Sequence, residues 1–403
     1  MTSVLPTTFC DLSLHHAITM TQPPRLSSSA PRTLPQGPRC QRPHRQRLDR
    51  FATTVITAGA FAVLAAILAI GVFLLWESLP LLAIDDMALF NSLSPLAWGT
   101  LKAALAAMVF ALPIALGAAV YTAMYMPARQ RTRIKPLLEM MEAIPGVVIG
   151  FIAGLILAPW VERHLTFTLV LLIWLPASAL LAGMLWHSLK KRWRQRLPFS
   201  SAALWLIPWF ALMIVFTLWA APLAEQYLLG DDLRRFLDLQ LGIDYATRNA
   251  MIVGAAMGFA VIPSVYALAE DALSDVPPAL LEGAQALGAD RWQALLKVAL
   301  PAAGPGIFSA VMIGAGRAVG ETMIVLMASG NTALLSASPF EGMRSMAAAI
   351  AIEMPEAAPG SSTYHLLIFA ALLLFVFTFL VNTLAETVRL RLRTRLKRMR
   401  GGA

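Results

Sequence analysis

Eight nearly unbroken apolar stretches divide the chain, near 51 to 76, 98 to 125, 140 to 160, 165 to 187, 202 to 222, 248 to 268, 304 to 328 and 364 to 385. As α-helices rising about 1.5 Å per residue, each is long enough to cross a hydrocarbon layer of roughly 30 Å. The gaps between them are polar, and basic residues collect in alternate gaps. With the N-terminus placed inside, the inner segments hold 25 of the 32 Lys and Arg, the asymmetry that orients membrane helices. The pattern predicts an all-α polytopic membrane protein of about eight transmembrane helices with both termini cytoplasmic.

The segments outside the spans read differently from one another. Residues 1–50, rich in Pro, Ser, Gln and Arg, are expected to be a disordered cytoplasmic tail without the apolar core of a secretory signal. Residues 51–97 hold the first transmembrane helix and an outer loop, and 391–403 form a basic cytoplasmic tail. Pro113, Pro145 with Gly146, Pro176, Pro208 and Pro263 fall within spans and read as kinks. The stretch from 231 to 242 alternates charge with Leu and Phe at helical spacing, as in a helix lying on the membrane surface or in a solvated connection.

Composition removes other classes. The 403 residues are 58% hydrophobic and 14% charged, too apolar for a soluble domain, in which the apolar share is about 45–50%. The net charge of +9 sits beside the spans, so topology accounts for it better than nucleic acid does. Cys10 and Cys40 are the only cysteines, both in the tail, which leaves no disulfide framework. No G-x-x-x-x-G-K-[ST] phosphate loop occurs, so the chain is not itself an ATPase of that kind.

Residues 270–303 have helical periodicity broken once, at Gly288. Asp290 followed three residues later by Gln293 matches a capping box that restarts a helix, and Pro301 marks the next boundary. A short helix, a turn and a second helix are expected, suited to a groove on another protein or simply to the surface. Glu282, Gly283, Ala284, Gly288, Val298, Leu300 and Pro301 resemble the E-A-A-x3-G-x9-I-x-L-P loop of ABC importer permeases. Gly283 stands for the first Ala and Val298 for the Ile. The resemblance implies a type I importer permease core whose coupling helix docks on a separate ATPase. ATP and Mg would be bound by that ATPase and no cofactor by this chain.

The seventh span carries GRAVGET, with Arg317 and Glu321 spaced i, i+4 so that both share one helix face and can pair. Gly314, Ala315, Gly316, Ala318 and Gly320 around them permit close helix approach or leave room for a solute. An internal ion pair that locks packing is one reading. An anion site is the other, because a guanidinium matches a tetrahedral oxyanion. Near neutral pH phosphate retains P–OH donors that Glu321 would accept, whereas sulfate has none and would be repelled.

This run, together with RSMAAAIAIEMP at 344 to 355, FVFTFLVNTLAETVR at 375 to 389 and EMMEAIPGVVIGF at 139 to 151, resembles the phosphate-specific (Pst) permease subunits. The resemblance implies that Arg317, Glu321 and Thr322 line the substrate path of an inner-membrane phosphate importer. The implied partners are cytoplasmic ATPase subunits, a second permease subunit or second copy, and a periplasmic phosphate-binding protein. A permease for another oxyanion, or an ATP-independent carrier or channel, is the alternative. The likeness covers 98–160 and 247–390, the latter containing the coupling loop 270–303. Residues 161–246 depart from it and are expected to be an inserted two-helix hairpin with an outer segment. Glu139 and Glu142 are read as solvated charges beside Arg133 and Lys135, with a gate contact as the alternative. Lys102 is expected to snorkel to water.

Overall fold

A computed structural model describes residues 43–83, 86–188, 202–226 and 233–400. Cys10, Cys40 and the basic run from Lys190 to Arg196 lie outside the described residues. Among the described residues the fold is helical, and eight helices are long and apolar enough to cross a membrane. The protein is a multi-pass membrane protein. Helix α1 (Pro43–Ser78) begins inside the segment expected to be tail. A proline is tolerated at the first helical position because its missing N–H has no intrahelical partner there. Up to Leu64 this helix forms a unit of its own, exposed at every side chain from Arg50 onward.

The second unit, from Ala65, is built around α2 (Asp86–Met124) and α9 (Ala250–Ser274). Ala103, Ala107, Ala111, Ala115 and Ala119 recur every four residues along α2 and are all buried. A ridge without bulky side chains admits a second backbone closely. Gly254 of α9 lies on Ala106, and Gly258 lies on Phe110 and the Ala107 carbonyl. Farther along α9, α12 (Leu300–Gly320) packs on the same stripe, where Gly306 meets Ala272 and Gly314 meets Val261 and Val265. Helix α15 (Ser362–Arg400) covers α12, with Asn382 against Gly316. It stays helical to Arg400, through the described part of the segment expected to be a basic tail. Gly314 and Gly316 therefore serve packing, and only Gly320 of these three has open space around it.

The third span is assembled from pieces. Helix α3 (Ala128–Met140) passes through a 3-10 turn (Met141–Ala143), and the chain breaks at Pro145 before α4 (Gly146–Ile152). A π-helical turn (Ala153–Leu157) and α5 (Ala158–Arg163) complete it. Pro113, Pro176, Pro208 and Pro263 lie inside continuous helices. Only Pro145, of the five prolines read as kinks, stands at a break.

Helices α6 (Leu165–Ser188) and α7 (Ala202–Ala224) pack chiefly on each other. The Trp209 indole donates to the Ser178 carbonyl at 3.1 Å, and Trp174 meets Phe216 at 5.9 Å between ring centroids. Helix α8 (Leu233–Leu241), expected on a surface, instead docks: Leu233 and Leu237 enter the main core and Arg234 pairs with Glu162 at 2.9 Å. Its two leucines are one turn apart, so one face is apolar and the other is free for charge.

In the first half of α2, Trp98 donates to the Ser336 carbonyl at 2.8 Å, and the Met346 amide donates to Thr100 at 2.9 Å. These bonds draw the segment before α14 (Met346–Glu353) against this part of the helix. Lys102 consequently does not snorkel. It is 8% exposed, and its ammonium has no hydrogen bond among the described residues.

Candidate functional site

The loop 270–303 folds as its spacing predicts. Helix α10 (Pro278–Ala286) ends in a turn where Gly288 adopts φ +89°, a left-handed conformation that glycine accepts without a Cβ penalty. Asp290 then accepts from the Gln293 amide at 2.6 Å, while Gln293 accepts from the Asp290 amide at 3.2 Å. This closes the capping box before α11 (Arg291–Ala294). A π-helical turn (Leu295–Ala299) joins α11 to α12, just before Pro301, which lacks the N–H an α-ladder would use. Pro301, next to Leu300, is thus the second residue of α12, and the boundary it marks is the start of that helix.

Helix α10 contains no buried residue. Glu282 and Gly283 are exposed, Ala284 is half-buried, and Leu287 at the tip is 91% exposed. Between this loop and the α2–α3 turn lies an open cavity of about 450 Å³, lined by Met124, Pro127, Leu281, Gln285 and Arg291.

Where α9 enters the loop, Glu270 is completely buried. It pairs with Arg131 of α3, receives Lys135 at 2.8 Å and accepts from Ser274 at 3.0 Å. Lys135 also reaches Asp271 at 2.5 Å. Burial opposes the charge on Lys135, but the hydrogen bonds to Asp271 and Glu270 outweigh it and hold the ammonium above the ordinary lysine range. A buried carboxylate persists only with such pairing. Sequence reasoning missed this cluster, because an acid at the mouth of a loop reads as solvated.

The other charged site lies one break away. Helix α12 ends at Gly320, so Glu321 is extended at φ −72°, ψ 122° and Thr322 precedes a second short helix, α13 (Met323–Ala328). The i, i+4 pairing of Arg317 with Glu321 that one reading allowed is absent, since the helix that would align them has stopped. Arg317 instead pairs through Nη1 with Glu142, from the 3-10 turn, and donates to Ser264 of α9 at 3.3 Å. Its Nε and Nη2 make no hydrogen bond among the described residues. Arg317 is 35% exposed and Glu142 46%. Glu142 is exposed, as the solvated reading expects, but the cation beside it is Arg317 and not Arg133 or Lys135, while Glu139 lies 3.9 Å from Lys135.

Glu321 rests against the start of α4: a Cβ on Gly146 would lie 2.9 Å from its Oε1. Gly150 and Gly154, at successive four-residue steps, face Met323, Ile324 and Met327 of α13. The backbones of two broken spans thus touch where Glu142, Arg317 and Glu321 collect. The four-residue glycine spacing in GVVIGFIAG was the available signal for this seam.

Residues 175–394, more than half of the chain, match the family model described as the binding-protein-dependent transport system inner membrane component. The chain belongs to this family. Its match begins within α6 and includes the loop 270–303 and both Arg317 and Glu321. A phosphate transport system permease protein PstC of Xylella fastidiosa is 26% identical over 359 residues, covering 86% of this chain and 92% of the relative. The probable ABC transporter permease protein YqgH of Bacillus subtilis is 23% identical, with 84% and 90% covered. PstC 1 of Mycobacterium bovis is 28% identical over 298 residues, covering 72% of this chain and 70% of the relative. No solved structure matches the chain. For an inner membrane transport component, an exposed loop helix and a charged, broken-helix centre are the two parts that require a functional account.

Proposed function

We propose that this chain forms the translocation path of an ATP-driven inorganic phosphate importer in a bacterial inner membrane, with both termini and the loop 270–303 on the cytoplasmic side. The observation that carries the reading is Arg317, a guanidinium on a packed helix with one nitrogen engaged and two nitrogens open. Charged hydrogen bonds to a tetrahedral oxyanion fit that open edge. Glu321, placed by the break after Gly320, supplies an acceptor for P–OH, with the Thr322 hydroxyl beside it. Sulfate offers that carboxylate only repulsion. The names of the curated relatives support phosphate as the ion.

Helix α10, with no side chain buried, is the natural docking segment for a cytoplasmic ATPase that carries ATP and Mg. Glu282, Gly283, Ala284 and Gly288 shape this segment, while Leu300 and Pro301 begin the helix that leads to Arg317. A periplasmic phosphate-binding protein delivers the ion, and a second permease subunit or second copy completes the path. The α6–α7 pair is a hairpin inserted beside the core, and two added crossings leave later helices facing as before.

Reconstitution with the partner ATPase in proteoliposomes tests the reading. Phosphate uptake should require ATP and resist competition by sulfate, and Glu321→Gln should narrow that preference. Equal uptake of both ions, or unchanged preference in Glu321→Gln, overturns the assignment.

A further inference from the structure

We infer that Glu142 is the closing counter-ion of the anion path, a tethered carboxylate that occupies Arg317 when no anion is bound and is withdrawn by motion of the loop 270–303. The inference rests on the proposed anion site and adds to it a residue that no resemblance assigns.

Three observations carry it. Glu142 contacts the same nitrogen, Nη1, that Ser264 holds at 3.3 Å, so the carboxylate occupies donor capacity an oxyanion would use. Its own exposure of 46% shows that no buried network requires it there, unlike Glu270. Its backbone also has a direct connection to the loop. The 3-10 turn that carries Glu142 continues from α3, and α3 is clamped to the end of α9 by Arg131 and Lys135 on Glu270 and Asp271.

Helix α10 leaves the same end of α9 within a few residues. A displacement of the loop that carries the last turn of α9 with it therefore moves α3 as well or breaks a buried ion cluster. The Pro145 break just beyond Glu142 lets that motion occur without dragging α4, which is held to α13 by the glycine seam. Ser264 lies six residues before Glu270 on α9, roughly 9 Å along the axis, so the Arg317 contact is set apart from the helix end to which α3 is clamped. Once Glu142 withdraws, Nη1, Nη2 and Nε are all available to the ion. Its return expels the ion and shuts the path. No bond is made or broken covalently, and no proton need move.

The test uses the complete complex of this chain with its ATPase and partner permease in sealed vesicles. Exchange of radiolabelled phosphate is measured without ATP, and KM and Vmax of uptake are measured with it. Glu142→Gln should raise ATP-independent exchange about tenfold or more and lower KM by a similar factor, the scale of one charged hydrogen bond. Glu142→Asp should restore ATP dependence. A residue with a merely structural role would lower Vmax without opening the path.

Should Glu142→Gln fail to assemble, Glu142→Cys in a chain with Cys10 and Cys40 replaced by Ser provides the second measurement. An anionic thiol reagent should close the leak and a cationic one should not. Wild-type ATP dependence and KM in Glu142→Gln, or equal effects of the two reagents, overturn the inference. Uptake by the unaltered complex reports separately on the phosphate reading. If it carries sulfate instead, that reading falls, and the exchange assay run with sulfate still decides the role of Glu142.

Discussion

Glu270 and Arg317 are charged groups on packed helices of one apolar protein, and their surroundings treat them in opposite ways. Glu270 is fully buried, with two cations and a hydroxyl turned toward it. Arg317 is one-third exposed and leaves two of its nitrogens without a protein acceptor. The first arrangement leaves nothing for a ligand to do, since every favourable contact has already been made. The second retains donor capacity at a junction of broken helices, where carbonyls and carboxylates cannot all be paired by regular structure. Saturation marks the charge that fastens elements together, and unspent hydrogen-bonding capacity marks the one that the proposed function assigns to an ion.

The sharpest challenge to this contrast is Glu270→Ala. Removing the carboxylate strands Arg131 and Lys135, and loss of one partner from a buried ion pair costs about 3–5 kcal/mol. Thermal unfolding in detergent should shift strongly downward and the membrane level should fall. Glu142→Ala, at a site nearly half exposed, should change stability by under about 1 kcal/mol after solvent screening. Comparable losses would erase the distinction. Arg317→Ala reverses the pattern: the complex should assemble, with ATP-driven uptake reduced roughly a hundredfold, equivalent to two charged hydrogen bonds. Normal uptake would show that the open guanidinium is not used.

Gly150→Ala probes the backbone seam beneath the site. Its added methyl lies 3.0 Å from the Met323 carbonyl oxygen and Ile324 Cα. Overpacking of this kind costs about 1–3 kcal/mol, and the unfolding midpoint should fall by less than in Glu270→Ala.

The smallest effect concerns pH. Lys135 has its pKa raised in the folded protein by Asp271 and Glu270, so its contribution is fully present below the unfolded lysine pKa of about 10.4 and is lost as pH rises through the folded value. The stability difference between wild type and Lys135→Met should therefore be flat across the neutral range and shrink only in strong alkali. A decline near neutrality would show that Lys135 is not held in its charged form.

The parts readable from sequence were those determined locally. The spans followed from apolar length, and the loop followed from Gly288, Asp290 and Gln293, whose roles depend on neighbours within a few residues. The partner of Arg317 was not readable in the same way. Whether it meets Glu321 or Glu142 depends on α12 stopping at Gly320, and on Glu142 approaching from 175 residues away. Lys102 failed for a similar reason: its exposure is decided by a segment near Ser336 and Met346 folding over α2, which hydropathy does not register. Glu270 is not singled out by the sequence because its cations come from another helix. Gly146, Gly150 and Gly154 were visible as a spacing, but only contact with α13 gives that spacing a meaning.

Those three glycines also set a tolerance. An added methyl at Gly117, Gly183 or Gly304 would meet nothing within 4 Å, whereas at Gly154 it would run into the Met327 carbonyl. The spacing of the two broken spans beside Glu321 is therefore machined by missing atoms. It is set by how near two main chains can lie, and chemical variation among the surrounding side chains can retune charge without moving those backbones apart.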